Sequence, residues 1–375
     1  MEKIKNLVVG CGFSGATIAR QIAEIWNEDV LIIDKKNHIA GNSYDYMDEN
    51  NICVHQYGTH IFHTSLENVW HFLSRFTDWH PYFHHVLAQI DGMHVPIPFN
   101  LNSIQQVFPK SLANRLEEKL ISRFGYNIKV PILSLKKEGD PDLEFLANFV
   151  YEKVFLNYTL KQWGVTPEEL DPAVTGRVPV YVSKDNRYFQ DKYQGIPLNG
   201  FTTLIRNMLD HPRIHVELNK DFNTIKQDIE YERIFYTGSI DEFFDYKYGE
   251  LPYRSIRLDF RTYPYPYFQE NSVINYPNNF DFTRIGEYKY FLNDVSDKTV
   301  VSFEYPQNYV RGQNDPYYPI VNDKNKAIYD AYLAEAQKQK GSVFFLGRLG
   351  DYKYYDMDKA IHRALQLFDT IKEKK

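Results

Sequence analysis

The fold of this chain is decided by the stretch Leu7-Val8-Val9-Gly10-Cys11-Gly12-Phe13-Ser14-Gly15. An apolar run leads into G-x-G-x-x-G, and apolar residues at helical spacing follow it. A second apolar run, Val30-Leu31-Ile32-Ile33, ends at Asp34. This order of strand, glycine turn, helix, strand and acid is typical of a dinucleotide-binding unit. We therefore predict an α/β fold built on a Rossmann-like domain.

Each glycine of the motif has its own physical role. Gly10 permits a tight turn, Gly12 lets the backbone approach a pyrophosphate, and Gly15 allows close packing of the helix on the strand. The N–H groups at the helix start, at Phe13 and Ser14, are placed to face phosphates. Asp34 is placed to accept a ribose hydroxyl.

The glycine motif alone does not separate FAD from NAD. The segment His38-Ile39-Ala40-Gly41-Asn42-Ser43 follows the acid with small residues. Such a turn suits flavoproteins, in which the chain passes close to the dinucleotide. We predict FAD, with Gly41, Asn42 and Ser43 as further cofactor-binding residues.

Composition limits the partners and the compartment. The chain has 375 residues, enough for two or three packed units, and its net charge of −6 argues against a nucleic-acid partner. Cys11 lies in the glycine turn and Cys53 is the only other cysteine, which favours a reducing compartment. We find no signal segment and no apolar run of membrane-spanning length. We expect a cytoplasmic protein without a membrane span.

Periodicity divides the rest of the chain. Residues 86–98 are typical of a hairpin around Asp91-Gly92, whose second strand lies near a sheet edge, and residues 100–171 have helical spacing that first stops at Gly125. Residues 200–209 indicate a helix, and 343–350 a strand that ends in a glycine turn. We predict three units: a discontinuous FAD-binding domain (1–80, 195–250, 310–375), an inserted helical bundle (100–177) and an antiparallel β-sheet domain (81–99, 178–194, 251–309).

Histidines cluster in two places. His55, His60 and His63 lie in a loop that follows no simple period, but no H-E-x-x-H or cysteine-pair spacing supports zinc. We therefore predict no metal site. His80, His84 and His85, beside the hairpin, are interpreted as satisfied surface or core histidines.

A set of segments resembles the flavin-dependent UDP-galactopyranose mutases of the bacterial type. They run in order over nearly the whole chain. Besides the glycine motif and His38-Ile39-Ala40-Gly41-Asn42-Ser43-Tyr44-Asp45, they are Tyr57-Gly58-Thr59-His60-Ile61-Phe62-His63-Thr64, Tyr158-Thr159-Leu160-Lys161-Gln162-Trp163-Gly164, Tyr193-Gln194-Gly195-Ile196-Pro197, Phe282-Thr283-Arg284-Ile285, Tyr317-Tyr318-Pro319, and Gly347-Arg348-Leu349-Gly350-Asp351-Tyr352-Lys353-Tyr354-Tyr355-Asp356-Met357-Asp358.

The resemblance implies a reaction that spacing alone does not show. Family members interconvert UDP-galactopyranose and UDP-galactofuranose without net redox, for galactofuranose biosynthesis and cell-surface polysaccharide. Their FAD is active in the reduced form: N5 forms a covalent adduct with the sugar C1 while the nucleoside diphosphate leaves. The resemblance also implies a homodimer.

The resemblance carries site residues onto this chain. Arg177, on a mobile loop, and Arg284 match two arginines on the diphosphate, a role that suits guanidinium forks. With His60 and His63 they form the expected catalytic set. The remaining substrate-side matches are Thr59, Tyr158 on the uridine side, Thr159, Trp163, Tyr188, Asn275, Tyr305 and Tyr354. The cofactor-side matches are His60, Ile61, Arg348, Tyr354, Asp356 and Met357.

Three positions depart from the family pattern. Ala40-Gly41 replaces the usual Gly-Gly, Asn157 replaces a small residue before Tyr158, and Thr59 stands where proline or alanine is common. Several functions therefore stay open beside the leading one. A sister mutase would act on UDP-N-acetylgalactosamine, a dTDP-fucose or a GDP-heptose. An FAD amine oxidase-like oxidoreductase and a non-catalytic dinucleotide-binding protein share the same nucleotide fold.

Overall fold

A computed structural model describes residues 3–169, 179–339 and 341–373. In chain order the strands are Ile4–Val9 (β1), Val30–Ile33 (β2), Asp45–Met47 (β3), Cys53–His55 (β4), Phe62–Thr64 (β5), Trp79–Pro81 (β6), Val86–Ile90 (β7), Met93–Ile97 (β8), Phe99–Asn100 (β9), Ile128–Pro131 (β10), Pro179–Val182 (β11), Tyr193–Pro197 (β12), Ile214–Glu217 (β13), Tyr231–Tyr236 (β14), Tyr253–Tyr263 (β15), Val273–Asn275 (β16), Arg284–Glu287 (β17), Thr299–Asn308 (β18), Tyr318–Pro319 (β19) and Val343–Phe345 (β20).

The α-helices are Phe13–Gln21 (α1), Glu67–Leu73 (α2), Leu101–Val107 (α3), Lys110–Phe124 (α4), Ile132–Leu135 (α5), Pro141–Val150 (α6), Asn157–Trp163 (α7), Gly200–Leu209 (α8), Phe222–Ile225 (α9), Ile240–Phe243 (α10), Lys289–Leu292 (α11), Asp323–Gln337 (α12), Gly347–Gly350 (α13) and Met357–Lys372 (α14). Two π-helical turns, Ile22–Trp26 and Tyr151–Leu156, continue α1 and join α6 to α7.

A five-stranded parallel sheet in the order β13-β2-β1-β14-β20 forms the nucleotide domain. The apolar run of β1 places Leu7 and Val8 fully in the core. Helix α1 packs against α8 and α14, so elements distant in sequence close over one sheet. The predicted Rossmann-like α/β fold is confirmed, and the C-terminal strand returns to this sheet as the glycine turn after residue 345 indicated.

Packing against neighbouring protein atoms requires glycine at two positions of the motif. A Cβ on Gly15 would lie 1.9 Å from the carbonyl oxygen of Gly10, so a side chain there would separate α1 from β1. Gly10 has φ +101°, and its Cβ would lie 1.9 Å from Oγ1 of Thr237. A residue with a side chain at either position would therefore disrupt the turn between β1 and α1.

The second large element is a seven-stranded sheet in the order β19-β15-β18-β17-β16-β7-β8. The predicted hairpin forms β7 and β8, with β8 at the edge. The sheet is mixed and not purely antiparallel, because β16 pairs in parallel with β7. Its other edge strand is β19, whose residues we predicted to belong to the FAD-binding domain. One row of cross-strand neighbours, Asn275, Arg284 and Glu304, points to the same face.

The inserted unit differs from a pure helical bundle. Helices α3 to α7 are present, but β9, β10 and β11 form a three-stranded sheet within it. Strand β11 is completely buried, so its backbone groups need partners on both sides, and β10 and β9 supply them. Residues 179–182 therefore belong with the insertion and not with the seven-stranded sheet.

Within the three described ranges, every helix is too short or too polar to cross a lipid bilayer.

Candidate active site

The carboxyl ends of β1, β14 and β20 form a cradle lined by glycines. Gly12 and Gly41 meet there: a Cβ on Gly41 would lie 3.2 Å from Cα of Gly12. Gly12 itself has φ −85°, and a Cβ on it would meet no protein atom closer than 3.8 Å. The protein thus leaves space beside Gly12 at the start of α1, where a pyrophosphate would face free N–H groups. The cradle fits FAD.

Asp34 lies at the end of β2, as predicted, and is buried. Its Oδ2 accepts the N–H of Cys11 at 2.7 Å and its Oδ1 accepts the N–H of Lys36 at 2.9 Å. Each carboxylate oxygen keeps another lone pair that is able to accept a ribose hydroxyl. Burial, and then the charge of Asp34, raises the pKa of the Cys11 thiol to about 12, so Cys11 is not a thiolate.

The other expected cofactor-side residues approach the cradle from both ends of the chain. Ser14 lies beside Gly347, whose Cβ would be 3.3 Å from the Ser14 hydroxyl. The hydroxyl of Ser43 donates to Sδ of Met357 at 3.6 Å. Asn42 accepts the Lys36 ammonium, Phe13 and Ile61 are core residues, and Asp356 stands at the N-cap position of α14.

His60 is held in one orientation. Its N–H donates to Nδ1 of His55 at 3.0 Å, and its Nδ1 lies 2.7 Å from the carbonyl oxygen of Gly58. Burial lowers the pKa of His55 and of His60 to about 3, so both rings are neutral. Nδ1 of a neutral His60 donates to Gly58, which leaves Nε2 as a hydrogen-bond acceptor.

His63 is arranged differently. Its Nδ1 lies 2.9 Å from a carboxylate oxygen of Asp191, and its ring stacks on Phe189 with centroids 3.5 Å apart. The two expected catalytic histidines therefore have different partners: one has a backbone carbonyl and the other a carboxylate.

Arg284 lies at the centre of the site-facing row of the seven-stranded sheet. Its Nη2 donates to the Tyr158 hydroxyl at 2.5 Å, and its Nε lies 3.3 Å from Oε1 of Glu304. Burial opposes the charge, but Glu304 raises the pKa of Arg284 well above its ordinary value. Burial likewise raises the pKa of Tyr158. The pair is thus a permanent cation beside a neutral phenol.

An aromatic wall stands next to this pair. Trp163 packs against Tyr318 and Tyr354, with ring centroids 5.8 and 5.3 Å apart. The Arg348 guanidinium lies over both tyrosine rings, at 5.3 and 5.4 Å from their centroids. Four expected residues, Trp163, Tyr354, Arg348 and the nearby Tyr158, therefore come together, although they come from two distant parts of the chain.

Tyr305 does not join this group. It is the neighbour of Glu304 on β18 and points to the opposite face, where Arg257 lies 4.1 Å from its ring centroid. Tyr318, which sequence reasoning left unassigned, occupies the wall instead. The pair Tyr317-Tyr318 was visible in the sequence, but only the pairing of β19 with β15 decides which ring faces the site.

Three buried polar atoms on this face have no hydrogen-bond partner among the described residues. They are Nδ1 of His84, Oδ1 of Asn275 and Nε of Arg284, the last of which lies 3.3 Å from Oε1 of Glu304 without hydrogen-bond geometry. His84 was interpreted as satisfied, and the structure corrects this: its ring is buried against Tyr188, with centroids 5.7 Å apart. Burial, and then the charge of Arg284, lowers the pKa of His84 to about 3. Unpaired buried polar atoms are costly, so together they indicate a polar ligand.

The remaining expected residues have these places. Thr59 packs on the seven-stranded sheet at Gly286, where a Cβ would lie 2.5 Å from Thr59 Cγ2. Thr159 is buried within α7. Tyr188 donates its N–H to the carbonyl of His84 at 2.7 Å. Arg177 lies outside the described residues.

The fold and the glycine cradle define a nucleotide-fold flavoprotein, and comparisons with known proteins narrow the class. The family model for UDP-galactopyranose mutase matches residues 153–354, and that for an NAD(P)-binding Rossmann-like domain matches 8–76. A probable UDP-galactopyranose mutase of Klebsiella pneumoniae is 39% identical, over 98% of this chain and 95% of its own length. A dTDP-fucopyranose mutase of Escherichia coli is 37% identical, over 96% and 97%.

A crystal structure of reduced UDP-galactopyranose mutase matches all of this chain and 95% of its own, with a TM-score of 0.73 at 13% identity, which supports the fold. The chain belongs to the UDP-galactopyranose mutase family, whose cofactor is FAD.

Proposed function

We propose that this protein interconverts UDP-galactopyranose and UDP-galactofuranose, with FAD in the reduced form. The observation that carries the proposal is the charged Arg284, which lies between Tyr158 and Glu304 and beside Asn275, whose buried Oδ1 has no hydrogen-bond partner among the described residues. A nucleoside diphosphate supplies the dianion that such a face lacks. The K. pneumoniae relative is named for this reaction.

Each residue then has a physical task. When bound and reduced, FAD would supply the nucleophile for the anomeric carbon. Arg284 stabilises the charge that develops on the departing diphosphate, and Glu304 and Tyr158 hold its guanidinium in place. Trp163, Tyr318 and Tyr354 exclude water, so that a displaced nucleotide stays in the site. Nε2 of the neutral His60 is able to accept a proton or a hydrogen bond. Arg177 is proposed as the second cation on the diphosphate.

The test is product formation by protein reduced with dithionite. Incubation with UDP-galactofuranose should yield UDP-galactopyranose by chromatography, without stoichiometric use of reductant. Protein kept fully oxidised is the control and should be inactive. Equal turnover in both states would refute a role for reduced flavin.

A second candidate is a mutase for another nucleotide sugar, because the E. coli relative is named a dTDP-fucopyranose mutase. We use Thr59 to choose between UDP-galactopyranose and UDP-N-acetylgalactosamine as the preferred substrate. A threonine is small and neutral, and it lacks the reach to a 2-acetamido carbonyl that an arginine has. We predict that UDP-galactopyranose is preferred over UDP-N-acetylgalactosamine by roughly tenfold in kcat/KM. A one-pot competition that includes dTDP-fucose measures this, and earlier consumption of either rival would overturn the assignment to UDP-galactose.

We further propose a homodimer. Large apolar side chains are exposed on the inserted unit: Tyr126 at 55%, Ile128 at 47% and Phe145 at 46%. A contiguous patch of exposed apolar side chains is typical of an interface, and we propose that these three form one. Light scattering after gel filtration should give twice the mass of the 44.4 kDa chain, and replacement of Tyr126 by Asp should shift the protein towards monomer.

A further inference from the structure

The helix that carries Tyr158 is tied to the loop that precedes Arg284. This loop, residues 276–283, joins Asn275 at the end of β16 to Arg284 at the start of β17. Three residues at four-residue spacing, Lys153, Asn157 and Lys161, contact it along one helix face. Asn278 donates to the carbonyl of Lys153 at 2.8 Å, and Asn157 donates to Oδ1 of Asn278 at 2.6 Å.

Lys161 makes the strongest of these ties. Its ammonium donates to three backbone carbonyls of the loop, those of Tyr276 at 2.5 Å, Phe280 at 3.1 Å and Phe282 at 3.0 Å. An ammonium has three N–H donors, so all of them are used inside the protein. Although it lies one turn from Tyr158, Lys161 therefore has no donor left for a phosphate. Its role must be exerted through the loop.

The other side of the same helix end is also fixed. Arg254, which is buried on β15, donates from Nη2 to the carbonyl of Lys161 and from Nε to that of Gln162, both at 3.0 Å. These carbonyls are at the C-terminal end of α7, where a cation is favourable. With α7 anchored in this way, the Lys161 ammonium sets where the loop lies relative to Tyr158.

We propose that Lys161 is a positioning residue for nucleotide binding: it clamps loop 276–283 to α7 and so sets the distance between Arg284 and Tyr158. The inference rests on the proposed function, because it takes the Arg284–Tyr158 pair as the nucleoside-diphosphate site. It adds that the site is assembled from two separate elements by one half-buried ammonium. Without the clamp, Arg284 and Asn275 lose their fixed position although neither residue is changed.

The test compares Lys161→Met with Lys153→Met in the FAD-loaded protein. Methionine keeps the length of the side chain and removes its donors. Lys153 is a matched control because its ammonium pairs with Asp91 at 2.8 Å on the surface, while its contact with the loop is made by its backbone carbonyl, which methionine keeps. UDP binding is measured by calorimetry, and kcat and KM are measured with the reduced enzyme. FAD content and Tm serve as checks on folding.

We expect Lys161→Met to raise the Kd of UDP and the KM about tenfold, since one charged contact site is loosened. Its kcat should stay within about threefold, as for a loss of uniform binding. Lys153→Met should match the unchanged protein in both. Unchanged UDP affinity in Lys161→Met would overturn the clamp even if the enzyme is an active mutase. If the wild-type protein binds UDP but does not isomerise the sugar, the proposed function is refuted, while the clamp by Lys161 is not.

Two further measurements keep the proposal testable. If Lys161→Met does not fold, Asn278→Ala is the second variant. It removes the two hydrogen bonds between Asn278 and the helix, to Asn157 and to the carbonyl of Lys153. Unchanged UDP affinity in Asn278→Ala would count against the clamp. The pH profile is the second. Burial lowers the pKa of Lys161 to about 8, and the carboxylate of Asp281 opposes this. The Arg254 guanidinium also lies at this helix end. UDP affinity should weaken as the pH rises through 8, and Lys161→Met should lack this step.

Discussion

At the scale of single residues, the sequence predicted the groups that a family motif contains, and it missed those that depend on strand register. Arg284, Tyr158, Trp163 and Tyr354 were expected, and the structure brings them into one cluster. Glu304 was missed because an acid within a strand carries no motif, and only pairing with β17 places it beside Arg284. A one-residue change of register would exchange Glu304 for its neighbour on the other face.

Replacement of Arg284 by Ala tests the central cation. We expect kcat/KM to fall by the equivalent of about 2–5 kcal/mol, because a partly buried charge-assisted contact is lost. FAD content should stay unchanged, since Arg284 is not one of the expected cofactor-binding residues. Arg257→Ala is the matched control: this arginine is exposed on the opposite face of the same sheet. Equal losses in both variants would mean that the sheet, and not the charge, is responsible.

Tyr318 faces the candidate site and Tyr305 faces away from it, so the loss of each hydroxyl should have a different effect. Tyr318→Phe removes a hydroxyl from the aromatic wall and should lower kcat/KM about tenfold, the scale of one hydrogen bond to a charged group. Tyr305→Phe removes a hydroxyl on the far face and should leave kcat/KM within about twofold. Steady-state kinetics of the reduced variants measures both, and the reverse order would return Tyr305 to the site.

At the scale of elements, helices were predicted well and short strands poorly. The predicted helix over residues 200–209 has those bounds in the structure, and α4 stops before Gly125 as its C-cap glycine indicated. Helical periodicity extends over many residues and is readable locally. Strand β10 was absorbed into the helical bundle because its four residues carry too short a pattern, and its partner β11 lies about fifty residues further along the chain.

The contact of the Thr59 loop with β17 depends on the missing side chain of Gly286. Gly286→Ala should lower the free energy of unfolding by about 1–3 kcal/mol, the usual cost of overpacking, because its Cβ would lie 2.5 Å from Thr59 Cγ2. Thr59→Ala removes that methyl group and leaves a Cβ 4.0 Å away. The double variant should therefore recover most of the loss. Urea unfolding of all four proteins gives the coupling energy, and simple additivity would contradict the contact.

At the scale of the whole molecule, the sequence predicted a discontinuous nucleotide domain, and the structure shows why the chain must return to it. Strand β1 is central in the parallel sheet, and it needs β14 and β20 on one side before the cradle is complete. The histidines show what the sequence could not give. Whether the ring nitrogens of His55 and His84 have hydrogen-bond partners depends on residues far along the chain. Phe291 packs against the His55 ring, and Tyr188 packs against the His84 ring.

Those two histidines, together with His60, predict how the stability of the protein depends on pH. Burial lowers the pKa of His55, His60 and His84 to about 3, against about 6.5 in an unfolded chain. The unfolded state therefore binds more protons between these values, and the stability that is present above pH 6.5 is lost as the pH falls. At pH 5 each histidine should reduce the free energy of unfolding by about 2 kcal/mol relative to pH 7. Urea unfolding of the FAD-loaded protein at both pH values measures the sum. His84→Gln should lose about a third of this dependence, since His55 and His60 still contribute, and a slope equal to that of the wild-type protein would show that His84 does not titrate on unfolding.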